Sequence, residues 1–192
     1  MASPTPALSP LADNAPGDAE LVARAREGDT WAEGAIYRRY AQPLSNLAAR
    51  MLGNHHEALD VLHDVFVEAL DQLGDLRHPE ALRGWLVQRT VRQVHRRFRR
   101  RSWWRWLGRQ TSEELSLSVL ASPGCPPDVK VELDTVAQRL SLLPARQRIA
   151  WVLHRIEGET LPSVAEACGT SVATVKRDLA AAQQTLFDEV RR

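Results

Sequence analysis

The sequence predicts an all-α protein: two small helical bundles joined by a flexible linker. Apolar residues recur at helical spacing through most of the chain, and no Val/Ile/Thr-rich alternating segment is present. Between the two periodic halves, residues 108–128 carry Gly, Ser and Pro, ending in SPGCPPD, where the periodicity stops. The expected division is a disordered tail over 1–17, a first bundle over 18–104, a linker over 105–128 and a second bundle over 129–192.

The first bundle divides by its caps and breakers. Asp18 is placed to cap a helix carrying Leu21, Val22 and Ala25, which Gly28 ends. Asp29 caps the next, with Ala32, Ala35, Ile36 and Tyr40 on one side. Pro43 breaks or restarts that pattern, and Leu44, Leu47, Ala48 and Met51 carry it to Gly53. A longer helix runs from about His56 to Leu73. Its apolar stripe is Leu59, Leu62, Val65, Phe66, Ala69, Leu70 and Leu73, and its other side is acidic: Asp60, His63, Asp64, Glu68, Asp71. That side is either solvated surface or a docking face for a basic or polar partner. After the loop GDLRHPE, a helix from Ala81 turns Leu82, Trp85, Leu86, Thr90 (or Arg89) and Val94 inward. The rest of that helix is arginine-rich.

The second bundle begins at Asp128, with Val131, Leu133, Val136, Leu140 and Leu143 for packing. Pro144 opens a helix bearing Ile149, Ala150, Val152, Leu153 and Ile156, and Gly158 stops it. The stretch TLPSVAEACGTSVATVKRDLAAAQQTL then reads as two short helices about a tight turn. Thr160 caps the first and Gly169 stops it without a Cβ penalty. Ser171 caps the second, whose Val172, Val175, Leu179, Ala182 and Leu186 share a face. Ala173, Thr174, Lys176 and Arg177 are left outward near its N-terminus, where small side chains and donors suit entry into a DNA groove. A plain helical hairpin with a solvated Lys-Arg pair is the alternative.

Charge narrows the partners. The 192-residue chain has a net charge of only +1, yet no acidic residue lies between Glu80 and Glu113. That stretch holds Arg83, Arg89, Arg92, Arg96, Arg97, Arg99, Arg100, Arg101, Arg105 and Arg109. Such a block reads as a polyanion contact. Nucleic acid is favoured over an acidic lipid surface because a second DNA-type feature sits downstream, although Trp103, Trp104 and Trp106 interrupt the run. The N-terminal segment MASPTPALSPLADNAPGD lacks the make-up of a signal peptide, and no apolar run of about 18 residues exists. Two cysteines, Cys125 and Cys168, form no disulfide framework, so a reduced, cytoplasmic setting without membrane insertion is expected. His55, His56, His63 and His95 lack metal-ligand spacing, and no nucleotide-binding or nucleophile motif is present. Neither an enzyme, a metal site nor a cofactor is expected.

Two blocks carry a family resemblance. The first runs from Leu21 to about Arg101, through ARAREGDTWAEGAIYRRYAQPL, EALDVLHDVFVEAL and LRGWLVQRT. The second is LLPARQRIAWVLHRIEGETLPSVAEACGTSVATVKRDL. In this order they resemble regions two and four of the sigma-70 family of bacterial transcription initiation factors, in its small extracytoplasmic-function (ECF) branch.

The resemblance implies a factor that binds core RNA polymerase, directs it to promoters by their −10 and −35 elements, and assists DNA melting. It implies docking of Asp60, His63 and Asp64 on the clamp helices of the largest core subunit, and of region four on the flap of the second-largest. The −10 element would meet Arg77, His78, Trp85, Arg89, Arg92 and Arg96. The −35 element would meet Ser171, Val172, Thr174, Lys176 and Arg177. An anti-sigma factor is a further implied partner. Trp85 reads as core before it reads as a base-stacking surface. Several positions depart from the family pattern. His63 stands for a usual Gln, Leu76 for an aromatic, and His78 and Pro79 for Gly-Asp. Arg92 and Arg96 stand for Asn and Asp, and Asp178 and Ala181 for Arg. The arginines shift the balance from base readout towards phosphate grip. The alternative is a helix-turn-helix regulator that never forms a holoenzyme.

Overall fold

The computed structural model describes residues 16–106 and 138–188, and among these residues every regular element is helical. The first half contains α1 (Asp18–Arg26), α2 (Thr30–Leu52), α3 (His55–Asp71) and α4 (Leu82–Trp106). Two 3₁₀ turns, Leu73–Asp75 and Pro79–Ala81, lie between α3 and α4. The second half contains α5 (138–142), α6 (Ala145–Trp151), α7 (Leu161–Cys168) and α8 (Val172–Asp188). The expected tail and linker fall almost wholly outside the described residues, as do Val131, Leu133 and Val136.

Local chemistry sets most boundaries. The Asp29 carboxylate accepts from the backbone N–H groups of Trp31 and Ala32, so α2 starts there. Asn54 caps α3 through the N–H of Glu57 at 3.1 Å. Gly53 ends α2 in the left-handed region at φ 70°, and Gly169 does the same for α7 at φ 62°.

Four sequence expectations change. Asp18 does not cap α1; Gly17 occupies that position, and the Asp18 carboxylate instead meets Arg39 at 2.6 Å and the Tyr40 hydroxyl. Burial first, and the Asp18 carboxylate second, push the Tyr40 phenol well above its ordinary range. Pro43 does not break α2. The lost backbone bond costs about 3 kcal/mol in an isolated helix, but Tyr40, Leu44, Leu47 and Ala48 are buried around it and hold the helix straight through. Leu59 is 45% exposed, because Ala58 and Val61 take the inward positions of that turn. Beyond Trp151, α6 widens into a π turn over Val152–Ile156, with the Glu157 N–H reaching the Val152 carbonyl at 3.0 Å and Ile156 exposed.

The two halves pack against each other. Their buried apolar residues form one continuous cluster, in which Val91 and Val94 of α4 join Ile149, Leu153, Val164 and Ala167. A smaller cluster of Leu140, Leu143, Ala182 and Leu186 closes α5 onto α8. Polar bonds stitch the same seam. Arg50 pairs with Glu157, Arg83 pairs with Glu159 at 2.6 Å, and the Gln88 amide donates to the Glu166 carbonyl at 3.2 Å. Arg148 is 8% exposed and donates to the carbonyls of Met51, Ser141 and Leu143, so one buried guanidinium spans both halves.

Candidate nucleic-acid interface

The helix-turn-helix forms as its sequence suggests. The Thr160 hydroxyl accepts from the Ser163 N–H at 3.3 Å, and the Ser171 hydroxyl accepts from the Thr174 N–H at 3.2 Å. Val175, Leu179, Ala182 and Leu186 are buried, which turns Ser171, Ala173, Lys176 and Arg177 to solvent. Val172 and Thr174 are half-buried at the edge of that face. Arg177 Nη2 donates to the Thr174 Oγ1 at 3.2 Å, and the Thr174 and Ser171 hydroxyls are 2.9 Å apart. A short chain of hydroxyls therefore steadies the guanidinium at the N-terminal, positive end of the helix dipole. Asp178 is neutralised by Arg146 of α6 at 2.9 Å.

The arginine block of α4 divides in two. Arg89, Gln93, Arg97 and Arg101 stand four residues apart and face the antiparallel α3. Arg101 pairs with Glu57 at 2.7 Å, and Arg97 with Asp60 and Asp64 at 3.3 and 3.4 Å. Gln93 donates to Glu68 at 2.8 Å, and Arg89 pairs with the same carboxylate at 2.9 Å. Arg92, Arg96, Arg99 and Arg100 are exposed, with Arg96 also 3.9 Å from the Glu68 carboxylate. Sequence reasoning missed this ladder. The signal was present as matched spacing: Glu57, Asp60, Asp64 and Glu68 run one way while Arg101, Arg97, Gln93 and Arg89 run the other.

Arg89 is thus placed differently from its expected role at a DNA surface. It is 5% exposed, it also meets Gln72 at 3.0 Å, and its guanidinium lies 3.8 Å from the centroid of the Trp85 ring. Burial lowers its pKa, with the nearby Glu68 opposing that shift. Trp85 is half-buried and lines a cleft of about 240 Å³ together with Leu76, Arg77, His78 and Gln88. Arg77 and His78 are exposed, whereas Leu76 is buried. The loop that carries them is held from α1: Arg26 donates to the Leu73 carbonyl at 3.1 Å and to the Leu76 carbonyl. No local pattern singles out Arg26, whose partners lie 47 and 50 positions away.

On α3, Asp60 and His63 are exposed and Asp64 is half-buried, with Val67 exposed alongside them. The docking residues expected from sequence therefore share one face. Trp103 is 56% exposed; the side chains of Trp104 and Trp106 lie outside the described residues. Among the described residues no group of three or more His, Cys, Asp or Glu side chains is placed to hold a metal ion, and no helix is long and apolar enough to cross a membrane.

An all-helical pair of modules, one with a basic helix beside an acidic helix and the other a helix-turn-helix, defines a class of transcription factor. Comparison with known proteins fixes which. The family model for Sigma-70 region 2 matches residues 36–104, and that for Sigma-70 region 4 matches 133–186, together nearly two thirds of the chain. The protein belongs to the sigma-70 family, in its ECF branch. RNA polymerase sigma factor NccH of Alcaligenes xylosoxydans xylosoxydans is 27% identical over 172 residues, spanning 88% of this chain and 92% of its own. ECF RNA polymerase sigma factor SigW of Bacillus subtilis is 25% identical over 177 residues, spanning 88% and 95%. Among solved structures, CnrH in complex with the cytosolic domain of CnrY superposes with a TM-score of 0.63 at 25% identity, over 91% of this chain and 97% of that one. Sigma factor RpoE of Bartonella quintana, in complex with the anti-sigma factor NepR, gives 0.65 at 19% identity over 81% and 94%, a likeness of fold.

The protein is a promoter-specific transcription initiation factor, and core RNA polymerase and promoter DNA are its partners. This membership decides against the stand-alone regulator.

Proposed function

We propose that the family's work is divided among three surfaces of this chain. The outward face of α8, with Ser171, Val172, Thr174, Lys176 and Arg177, takes the −35 duplex. The loop residues Arg77 and His78, with Arg92 and Arg96 of α4 and the partly open face of Trp85, take the opened −10 strand. Arg89 serves there as a positioning residue that fixes the Trp85 ring. Asp60, His63 and Asp64 dock on the clamp helices of the largest core subunit, and the second half meets the flap of the second-largest.

The observation that carries this reading is the outer face of α8, where a cationic pair stays exposed at a helix N-terminus while its acidic neighbour Asp178 is already paired to Arg146. Arg177 is thereby free of competition for a guanine edge, a contact worth about 1–3 kcal/mol of discrimination. Footprinting of the reconstituted holoenzyme tests it. Arg177→Ala is expected to remove protection at the −35 element while core capture persists, and unchanged protection would refute the assignment. Asp60→Arg with Asp64→Arg is expected to weaken pull-down of core polymerase; undiminished capture would show that the docking face lies elsewhere.

The two solved relatives were each captured with a protein partner, one of them named an anti-sigma factor. A partner of that class, acting from the cytoplasm, fits this chain too. Affinity capture from the native cell, followed by competition against core polymerase, identifies it.

A further inference from the structure

We propose that the far end of α4 is a lipid-surface site. Arg99, Arg100 and Trp103 hold the chain reversibly to an anionic bilayer, at a place distinct from the strand surface at Arg92 and Arg96.

The charge available there is what remains after internal pairing. α4 runs antiparallel to α3, and its inner arginines are spent on that helix, Arg97 on Asp60 and Asp64 and Arg101 on Glu57. Arg101 already stands opposite the first turn of α3, so the last turn of α4, which ends at Trp106, runs past its acidic neighbour. Arg99 and Arg100 lie exposed, and among the described residues neither meets a carboxylate. The chain supplies none nearby in sequence, since no acidic residue lies between Glu80 and Glu113. This surplus is complementary to an external polyanion.

The aromatic residues decide which polyanion. Trp103 is 56% exposed, a large ring in contact with water within four residues of both cations. The sequence continues with Trp104, Arg105 and Trp106 on the same helix. At 3.6 residues per turn the three tryptophan positions spread over about 160° of the helix circumference. A single strand laid along Arg92 and Arg96 follows one line of α4 and cannot meet all three. A bilayer surface takes in the whole helix end. Its interface favours both residue types, the indole at the level of the headgroups and the guanidinium beside their phosphates. From Arg99 to Trp106 the helix advances about 10 Å, a depth that matches the headgroup boundary. No helix among the described residues is long and apolar enough to cross a membrane, so the mode is attachment to the surface.

Flotation of the full chain with lipid vesicles tests the site. Phosphatidylcholine vesicles containing about 30% phosphatidylglycerol are expected to carry the chain at low salt, and pure phosphatidylcholine vesicles to leave it behind. Arg99→Gln with Arg100→Gln should weaken binding about thirtyfold, about fivefold for each cation near the surface. Trp103→Ala should weaken it about tenfold, and Trp103→Tyr, which keeps an interfacial ring, should retain most of it. Arg38→Gln with Arg155→Gln removes two exposed charges elsewhere and should leave flotation unchanged. Urea unfolding of each variant separates loss of the surface from loss of the fold. No flotation of the unsubstituted chain, equal flotation on uncharged vesicles, or flotation indifferent to Arg99, Arg100 and Trp103 would overturn the proposal. Binding of a single-stranded −10 oligonucleotide separates lipid from nucleic acid. Trp103→Ala should leave that affinity unchanged; if it falls as far as flotation does, the end of α4 belongs to the promoter strand and the lipid site is overturned.

Discussion

Two helices of this protein advertise nucleic-acid binding by charge, and the fold treats them in opposite ways. On α8 the cationic residues Lys176 and Arg177 stay in water, and Asp178, which would oppose them, is turned to Arg146. On α4 the longer arginine run is split: Arg89, Arg97 and Arg101 are paired with carboxylates of α3, leaving Arg92, Arg96, Arg99 and Arg100 outward. The difference is geometric. α4 has an acidic helix packed antiparallel beside it at matching four-residue spacing, whereas the outer face of α8 has no neighbour among the described residues. A run of like charge therefore marks a polyanion site only after its intramolecular partners have been subtracted.

The contrast is most sharply broken at Arg89. Arg89→Ala removes a guanidinium shared by Glu68, Gln72 and the Trp85 ring, and leaves Glu68 short of a partner in a half-buried place. A loss of about 3 kcal/mol in urea or thermal unfolding is expected, with core capture lost only in proportion to unfolding. A change under 0.5 kcal/mol would mean that the ladder is ornamental.

Arg177→Ala is expected to act the other way round. Affinity for a −35 duplex should fall by about 1–3 kcal/mol, while stability stays within about 0.5 kcal/mol of the parent. An equal loss of stability would erase the distinction between the two helices. Arg92→Gln with Arg96→Gln should leave folding intact and lower the salt slope of single-strand binding by about 1.4, about 0.7 for each phosphate contact. Doing the same to Arg97 should barely move that slope, because its charge is already spent on Asp60 and Asp64.

The smallest effect concerns pH. His95 of α4 lines a pocket with Arg146 of α6, Cys168 of α7 and Asp178 of α8. Burial first, then Arg99 and Arg146, depress its pKa below the ordinary 6.5. A depressed folded value means that the unfolded chain takes up the proton first. Stability from this group is complete above about pH 6.5, falls as the pH drops through that value, and levels off below the folded pKa. Urea titrations from pH 7.5 to 5.5 should show this decline, and His95→Gln should flatten it.

Much was legible from residues alone. The caps at Asp29, Thr160 and Ser171, the stops at Gly53 and Gly169, and the buried stripe of α8 all depend on interactions within a few positions of the chain. Such local rules place helices and orient a recognition face without knowledge of what packs elsewhere. They misjudged Asp18 and Pro43, whose roles are set by Arg39 and Tyr40 in one case and by surrounding core in the other.

The sequence by itself determined that the described residues are helical and which turn of α8 is left facing solvent, because periodicity and capping are short-range properties. Only the tertiary structure decided which arginines of α4 remain available, how Arg26 shapes the loop at Leu76, and that Glu157 and Glu159 meet Arg50 and Arg83 across the seam. Those outcomes join residues twenty to more than one hundred positions apart. Charge pairing over such separations is settled by where helices lie in space, which no local pattern encodes.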